Sequence, residues 1–282
     1  MDRRTLLKRL GIGGASVLGA SVPVGTYFAG LHNGETHLSG ANAASFSAGE
    51  RTGQVRVWWS VDASPTGVSK RLALTFDDGP TTQFTARVLN ILAAAKVPAT
   101  FFMIGACIDK HRDLAERVHG EGHLLANHTY DHYTAAIQSP DDVKKTVERG
   151  ADAVARITGE RPRWFRPVRG QVTGALMQAV ASAGHDLAMW SVSRGAEADD
   201  DDAVAVREHY IESIQDGAIV IFHDGIGRSS FDITGPDGQL MTQRTAEISA
   251  LPAVIDRYLA DGYEFLSLTD LVDRSASQSP ST

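Results

Sequence analysis

The sequence predicts an α/β fold built as one barrel-like domain. Three observations carry this. Short apolar runs alternate with amphipathic stretches from residue 55 to residue 268. Seven or eight such strand–helix units follow one another without a break in composition, which favours one barrel over two domains. Residues 219–222 (Ile-Val-Ile-Phe) form a continuous apolar run, as a parallel strand does when both of its faces are covered.

In chain order, 55–61 and 72–76 read as strands. Residues 84–96 place Val88, Leu89, Leu92 and Ala95 on one face of a helix. An apolar strand at 100–104 sits between Pro98 and Gly105, followed by a helix over 108–119 and a weak strand at 123–126. Ser139, just before Pro140, caps a long helix over 141–157. Trp164 and Phe165 open a short strand, and a helix over 173–183 closes at Gly184. Residues 187–192 read as a strand and 202–214 as a helix whose first residue, Asp202, can cap it. The Gly-, Ser-, Asp- and Pro-rich stretch 225–242 reads as a long loop. A helix over 243–260 is expected to break or restart at Pro252, and 265–268 is the last strand. The Ser-rich residues 274–282 read as a disordered tail.

The chain has 282 residues, 43% hydrophobic and 22% charged, enough to bury a substantial core. The net charge of −7 argues against nucleic acid as a partner. A single cysteine, Cys107, rules out an internal disulfide, a cysteine zinc finger and a redox pair. Residues 1–43 read as an export signal. Arg3 and Arg4 precede Leu6, Leu7 and Lys8, and residues 10–34 carry no charged side chain. The paired arginines resemble a twin-arginine signal, and Ala41-Asn42-Ala43 is a candidate cleavage site. Membrane contact is expected only through this signal or through an uncleaved anchor. Residues 44–69 then serve as a linker and an N-terminal strand, and 70–273 as the working domain.

In parallel α/β folds the chemistry sits at the carboxyl ends of the strands. Four polar clusters fall there. Asp77 and Asp78 end the run Leu72-Ala73-Leu74-Thr75-Phe76, and Gly79-Pro80 turns the chain away. His128 and His132, four apart, would share one face of a helical turn and can grip one ion together with Asp78. One carboxylate and two neutral imidazoles suit Zn²⁺, Co²⁺ or another first-row divalent ion. Arg166, in Arg166-Pro167-Val168-Arg169-Gly170, can orient a carboxylate. His223 ends the buried run, where its surroundings can tune it through neutrality.

Taken together, Thr75-Phe76-Asp77-Asp78-Gly79-Pro80, His128-Thr129-x-x-His132, Arg166-Pro167-x-x-Gly170 and Ile221-x-His223 resemble the ordered motifs of the polysaccharide deacetylases. These are the NodB-homology enzymes, carbohydrate esterase family four. The resemblance covers roughly residues 70–272. It implies a distorted, incomplete (β/α)7-type barrel, with Asp77 as catalytic base, Asp78, His128 and His132 as metal ligands, Arg166 holding the base and His223 as catalytic acid. The implied reaction is hydrolysis of an N-acetyl, sometimes O-acetyl, group on an acetylated polysaccharide. For an exported chain with no evident carbohydrate-binding module, peptidoglycan N-acetylglucosamine is the first expectation, ahead of chitin oligomers or acetylated xylan. No protein partner is expected, and the site of action is extracellular or at the cell wall.

Two departures from the family's pattern stand out. Val168 and Arg169 occupy positions where the family usually has a proline and an aromatic residue, so a long cation borders the sugar-facing surface. After Trp190-Ser191-Val192 the family usually has an aspartate that steadies the catalytic histidine, and here the residue is Ser193. Asp224, Glu197 or the run Asp199-Asp200-Asp201-Asp202 could supply that charge. If none does, a carbohydrate-binding protein without turnover is the competing reading.

Overall fold

The computed structural model describes residues 55–62, 70–194, 202–228 and 237–278. The expected export signal (1–43), most of the expected linker, Glu197 and Asp199 to Asp201 lie outside the described residues. Eight described strands form one sheet: β1 (Val57–Trp58), β2 (Lys70–Asp77), β3 (Thr100–Met103), β4 (Leu124–Asn127), β5 (Trp164–Phe165), β6 (Asp186–Ala188), β7 (Ala218–His223) and β8 (Tyr263–Leu266). The order is β1-β6-β5-β4-β3-β2-β7, with β8 also paired to β2. Every ladder is parallel, as crossovers through helices require. Among the described residues the two ends of the sheet are joined by single bridges only, Val192 to Val220 and Ser60 to Ala218, so the barrel is not closed.

The period-2 alternation along β2 separates two layers. Leu72, Leu74 and Phe76 face the helices, where Phe76 packs on Phe101 and Phe222 at ring separations of 5.0 and 5.9 Å. Ala73 points the other way, into the barrel, with Phe102, Ala126, Ala188 and Ile219. Thr75 and Asp77 continue that inward row. Register then sets Asp77 level with Phe102 on β3 and His223 on β7.

The helices are α1 (Thr85–Ala95), α2 (Gly105–Lys110), α3 (Arg112–Gly120), α4 (Pro140–Thr158), α5 (Gly174–Ser182), α6 (Ala203–Ser213), α7 (Asp237–Ala260) and α8 (Leu268–Gln278). Two expected caps are present. Ser139 accepts from the Asp142 N–H at the start of α4, and Asp202 accepts from the Val204 N–H at the start of α6.

Five expectations need correction. The helix expected over 108–119 is two helices, α2 and α3, because His111 leaves the helical region at φ −126°, ψ 52°. The expected loop ends earlier, since α7 begins at Asp237 and runs unbroken past Pro252. The last strand lies two residues earlier than expected, and Leu268 starts a helix instead of ending the strand. The expected disordered tail is helical as far as Gln278, held by Arg274 on Glu264 at 2.8 Å and by the Ser275 hydroxyl on the Leu271 carbonyl at 2.8 Å. Residues 279–282 lie outside the described residues. No described helix is long and apolar enough to cross a membrane.

Candidate active site

All six residues singled out in the sequence meet at the carboxyl ends of β2, β4, β5 and β7. Asp77 closes the inward row of β2. The Arg166 guanidinium, fully buried, donates from Nη1 to Asp77 Oδ1 at 2.7 Å and to Thr75 Oγ1 at 2.9 Å. Its Nε and Nη2 donate to the Ala188 and Met189 carbonyls at 3.0 and 2.9 Å, and its plane lies 4.0 Å from the Phe102 ring centre. Burial lowers the Arg166 guanidinium from its usual value, and the Asp77 carboxylate opposes that shift. A buried cation with this many partners fixes Asp77 in one orientation and balances its charge. Only Oδ1 is engaged, and Oδ2 faces His128 Nε2 at 3.8 Å.

Asp78 leaves the strand with φ 80°, a left-handed conformation that turns its carboxylate toward the imidazoles. Its Oδ1 lies 3.5 Å from His128 Nε2 and 3.0 Å from His132 Nε2. Donor atoms of Asp78, His128 and His132 lie within 4.8 Å of one another, so these three residues form a possible metal site. The donor set fits a divalent ion in a further respect. His128 Nδ1 contacts the Arg166 carbonyl at 2.8 Å. A carbonyl can only accept, so Nδ1 carries the proton and the Nε2 lone pair points at the cluster. Burial would raise the Asp78 carboxyl, but His132, His128 and His223 hold it well below the usual carboxylate range.

The two imidazoles converge by a different route from the helical turn expected. Residues 128–134 form an irregular loop in which Thr129 (φ 68°) and His132 (φ 59°) are both left-handed. Helix α4 holds that loop. Thr146 Oγ1 accepts from the Tyr130 N–H at 3.1 Å and donates to Asp131 Oδ1 at 2.7 Å. Gly150 on α4 lets the loop come this close, because a Cβ there would run into Asn127 Oδ1 and the Thr129 backbone. Of the five left-handed non-glycine residues described, Asp78, Thr129, His132 and Arg169 belong to the site loops; the fifth, Lys96, caps α1. Left-handed non-glycine residues of this kind cluster at active sites and ligand clamps.

His223 stands level with Asp77 on the neighbouring strand and is partly exposed, as is His132; Asp77, Asp78, His128 and Arg166 are buried. The pocket thus offers solvent two imidazole edges over a buried, charged floor. None of the expected acidic partners reaches His223 among the described residues. Asp224 turns away, its Oδ2 accepting from Thr85 Oγ1 at 2.6 Å, and burial pushes it up to about 7. The partner is Glu247 on α7, fully buried, with Oε1 and Oε2 at 3.2 and 3.3 Å from His223 Nδ1. A second residue missed in the sequence is Arg244, one turn earlier, with Nη2 3.4 Å from Asp78 Oδ2.

The sequence does hold a signal for both. Arg244, Glu247, Leu251, Val254 and Tyr258 recur at spacings of three and four along α7, and all five are buried. Two charges on an otherwise apolar stripe need partners inside the core. Cys107, by contrast, is the small core residue expected. It is buried, and burial together with Asp78 and Asp224 pushes its thiol up to about 12.

This constellation has relatives. Residues 65–188 match the family described as polysaccharide deacetylase. A peptidoglycan-N-acetylglucosamine deacetylase of Bacillus cereus is 30% identical over 204 residues, covering 72% of this chain and 88% of that protein. A chitooligosaccharide deacetylase of Sinorhizobium fredii is 33% identical over 201 residues, covering 70% of this chain and 91% of that protein. The crystal structure of the Bc1960 peptidoglycan N-acetylglucosamine deacetylase superposes with a TM-score of 0.64 at 24% identity, covering 76% of this chain and 92% of that one, and so shares the fold. The chain belongs to the polysaccharide deacetylase family, a family of hydrolases.

Proposed function

We propose that this chain removes N-acetyl groups from an extracellular polysaccharide, with peptidoglycan N-acetylglucosamine as its first substrate. The observation that carries the reading is the convergence of Asp78, His128 and His132 within 4.8 Å, beside an Asp77 clamped by a buried arginine at 2.7 Å. Asp78, His128 and His132 are the residues that would hold a divalent ion, Zn²⁺ in the first instance. Such an ion supplies Lewis acidity, polarising the acetyl carbonyl and making water a better nucleophile.

The protein's own groups move the protons. Arg166 ties Asp77 Oδ1, which leaves Oδ2 to accept a proton from the attacking water. His223 Nδ1 faces Glu247, which leaves Nε2 to deliver a proton to the amide nitrogen as the C–N bond breaks. The products are acetate and a free sugar amine. The competing reading, a binding protein without turnover, rested on an absent acidic neighbour for His223, and Glu247 removes that reason.

Arg169 favours a polymer carrying carboxylates. It is exposed, it follows Arg166 in the same loop, and its guanidinium makes no ion pair or hydrogen bond among the described residues. Residues 1–43 support export by the twin-arginine route, with action outside the membrane or at the wall. Replacing Arg3 and Arg4 by lysine should then hold the protein inside the cell. Acetate release from peptidoglycan, chitin oligomers and acetylated xylan tests the enzyme, with chelator and then with Zn²⁺ or Co²⁺ restored. Chelator-sensitive release, greatest on peptidoglycan, is expected. Release that ignores chelator would overturn the metal, and preference for a neutral polymer would overturn the substrate.

A further inference from the structure

We propose that Glu247 is the positioning residue of His223, delivered by α7 from outside the strand-end motifs. The proposal rests on the hydrolase reading for what His223 does, and on geometry alone for what Glu247 does. Both Glu247 oxygens lie within 3.3 Å of His223 Nδ1. The imidazole is therefore held by one nitrogen, with its proton on the side of the carboxylate and its other nitrogen toward the pocket.

The surroundings of Glu247 are those of a carboxylate kept charged in the core. Leaving a fully buried carboxylate without partners is strongly unfavourable. Here Oε1 accepts from the Tyr210 hydroxyl at 2.9 Å, and that hydroxyl also lies 2.6 Å from the Ile221 carbonyl. Oε2 lies 3.4 Å from Arg244 Nη1. Burial would raise the Glu247 carboxyl, but His223, Arg244 and Arg194 bring it below the usual carboxylate range.

Helix α7 also joins the two halves of the site. Arg244 Nε donates to the Gly225 carbonyl at 2.8 Å, just past β7, while Nη1 faces Glu247 and Nη2 faces Asp78. Gly225 is close enough to Asp78 that a Cβ there would run into the Asp78 backbone. One helical turn thus sets the register of His223 against the Asp78 side of the pocket. The titratable and charged groups around the pair are Arg244 on α7, Tyr210 on α6, Asp77 and Asp78 on β2, Asp224 after β7, and Arg194.

The test compares wild type, Glu247→Gln and Glu247→Asp as full-length, Zn²⁺-loaded protein. It uses two readouts: the pH–rate profile of acetate release, and titration of His223 by ¹⁵N-histidine NMR, with the His223 signal identified from a His223→Gln spectrum. In Glu247→Gln, kcat falls about 10- to 100-fold with KM little changed. The alkaline limb of the profile and the His223 titration both move to lower pH. Glu247→Asp keeps the charge at a longer reach and moves both in the same direction by less. A His223 titration unchanged in either folded variant overturns the proposal, and should Glu247→Gln not fold, Glu247→Asp alone decides. Wild type that releases no acetate would defeat the hydrolase reading, while the NMR titration would still judge the pair.

Discussion

His128 and His185 lie on either side of Asn127, both almost fully buried, and each donates its Nδ1 proton to a backbone carbonyl: Arg166 at 2.8 Å and Pro162 at 2.7 Å. What separates them is what Nε2 faces. For His128 it is two carboxylates, Asp78 at 3.5 Å and Asp77 at 3.8 Å. For His185 it is the Asn127 amide, which donates at 3.2 Å. Burial alone lowers both. The carboxylates reverse it for His128, while His185 is pushed down to about 4. Two imidazoles of similar burial therefore do opposite work. One is held with Nε2 aimed at two carboxylates that favour positive charge there, and the other is a neutral strut beneath it.

The comparison breaks most severely at His128. Replacing His128→Ala takes away one of three donors, and the expected result is loss of bound metal and of acetate release together. Metal content by elemental analysis, measured beside activity, checks this. Full activity in a variant with no metal would mean that the cluster of Asp78, His128 and His132 does not carry the reaction.

Replacing Asp77→Asn sharpens the same end of the molecule. The variant keeps the shape of the carboxylate and the metal donors, so metal content should match wild type. Turnover should fall about 10²- to 10⁴-fold, the usual contribution of a general base. A rate close to wild type would assign the proton to another group.

The strut is tested by pH and stability. His185 in the folded chain holds its proton less tightly than in the unfolded chain, with a value of about 4 against the ordinary 6.5. The folded state therefore binds fewer protons in between. Its stabilising effect is full above pH 6.5, and it is lost as pH falls toward 4. That window is worth about 3 kcal/mol at 1.36 kcal/mol per unit. Denaturant unfolding of the metal-free protein from pH 7 to pH 4, compared with His185→Gln, should show a shallower fall in the variant. Equal slopes would mean that His185 is not the group that titrates.

The contrast also explains what could be read from the sequence. Asp77, Asp78, His128, Arg166 and His223 were legible because each lies within two residues of the end of an apolar run, and a parallel sheet gathers strand ends at one place. His132 was legible by its spacing, although the loop that delivers it bends through left-handed Thr129 and His132 instead of a helical turn. The caps Ser139 and Asp202 are local chemistry and were equally readable. Glu247 was not. It lies 24 residues beyond His223 on another element, and its partner is chosen by how α7 packs, which no local pattern states. His185 was hidden for the same reason. Its role depends on Asn127, 58 residues away and next to a histidine that faces the pocket.

Ser193 gives the smallest expected effect. From the sequence, Ser193→Asp should extend activity toward higher pH, because His223 lacked an acidic neighbour. With Glu247 already 3.2 Å from His223 Nδ1, that position on the ring is taken. A new carboxylate at 193 cannot form the same hydrogen bond without displacing a buried one that also holds Tyr210 and Arg244. The variant's pH–rate profile should therefore overlay that of wild type. A broadened alkaline limb would mean that the pair formed with α7 is too weak to govern His223, and it would restore the loop after Trp190 as the source of the missing charge.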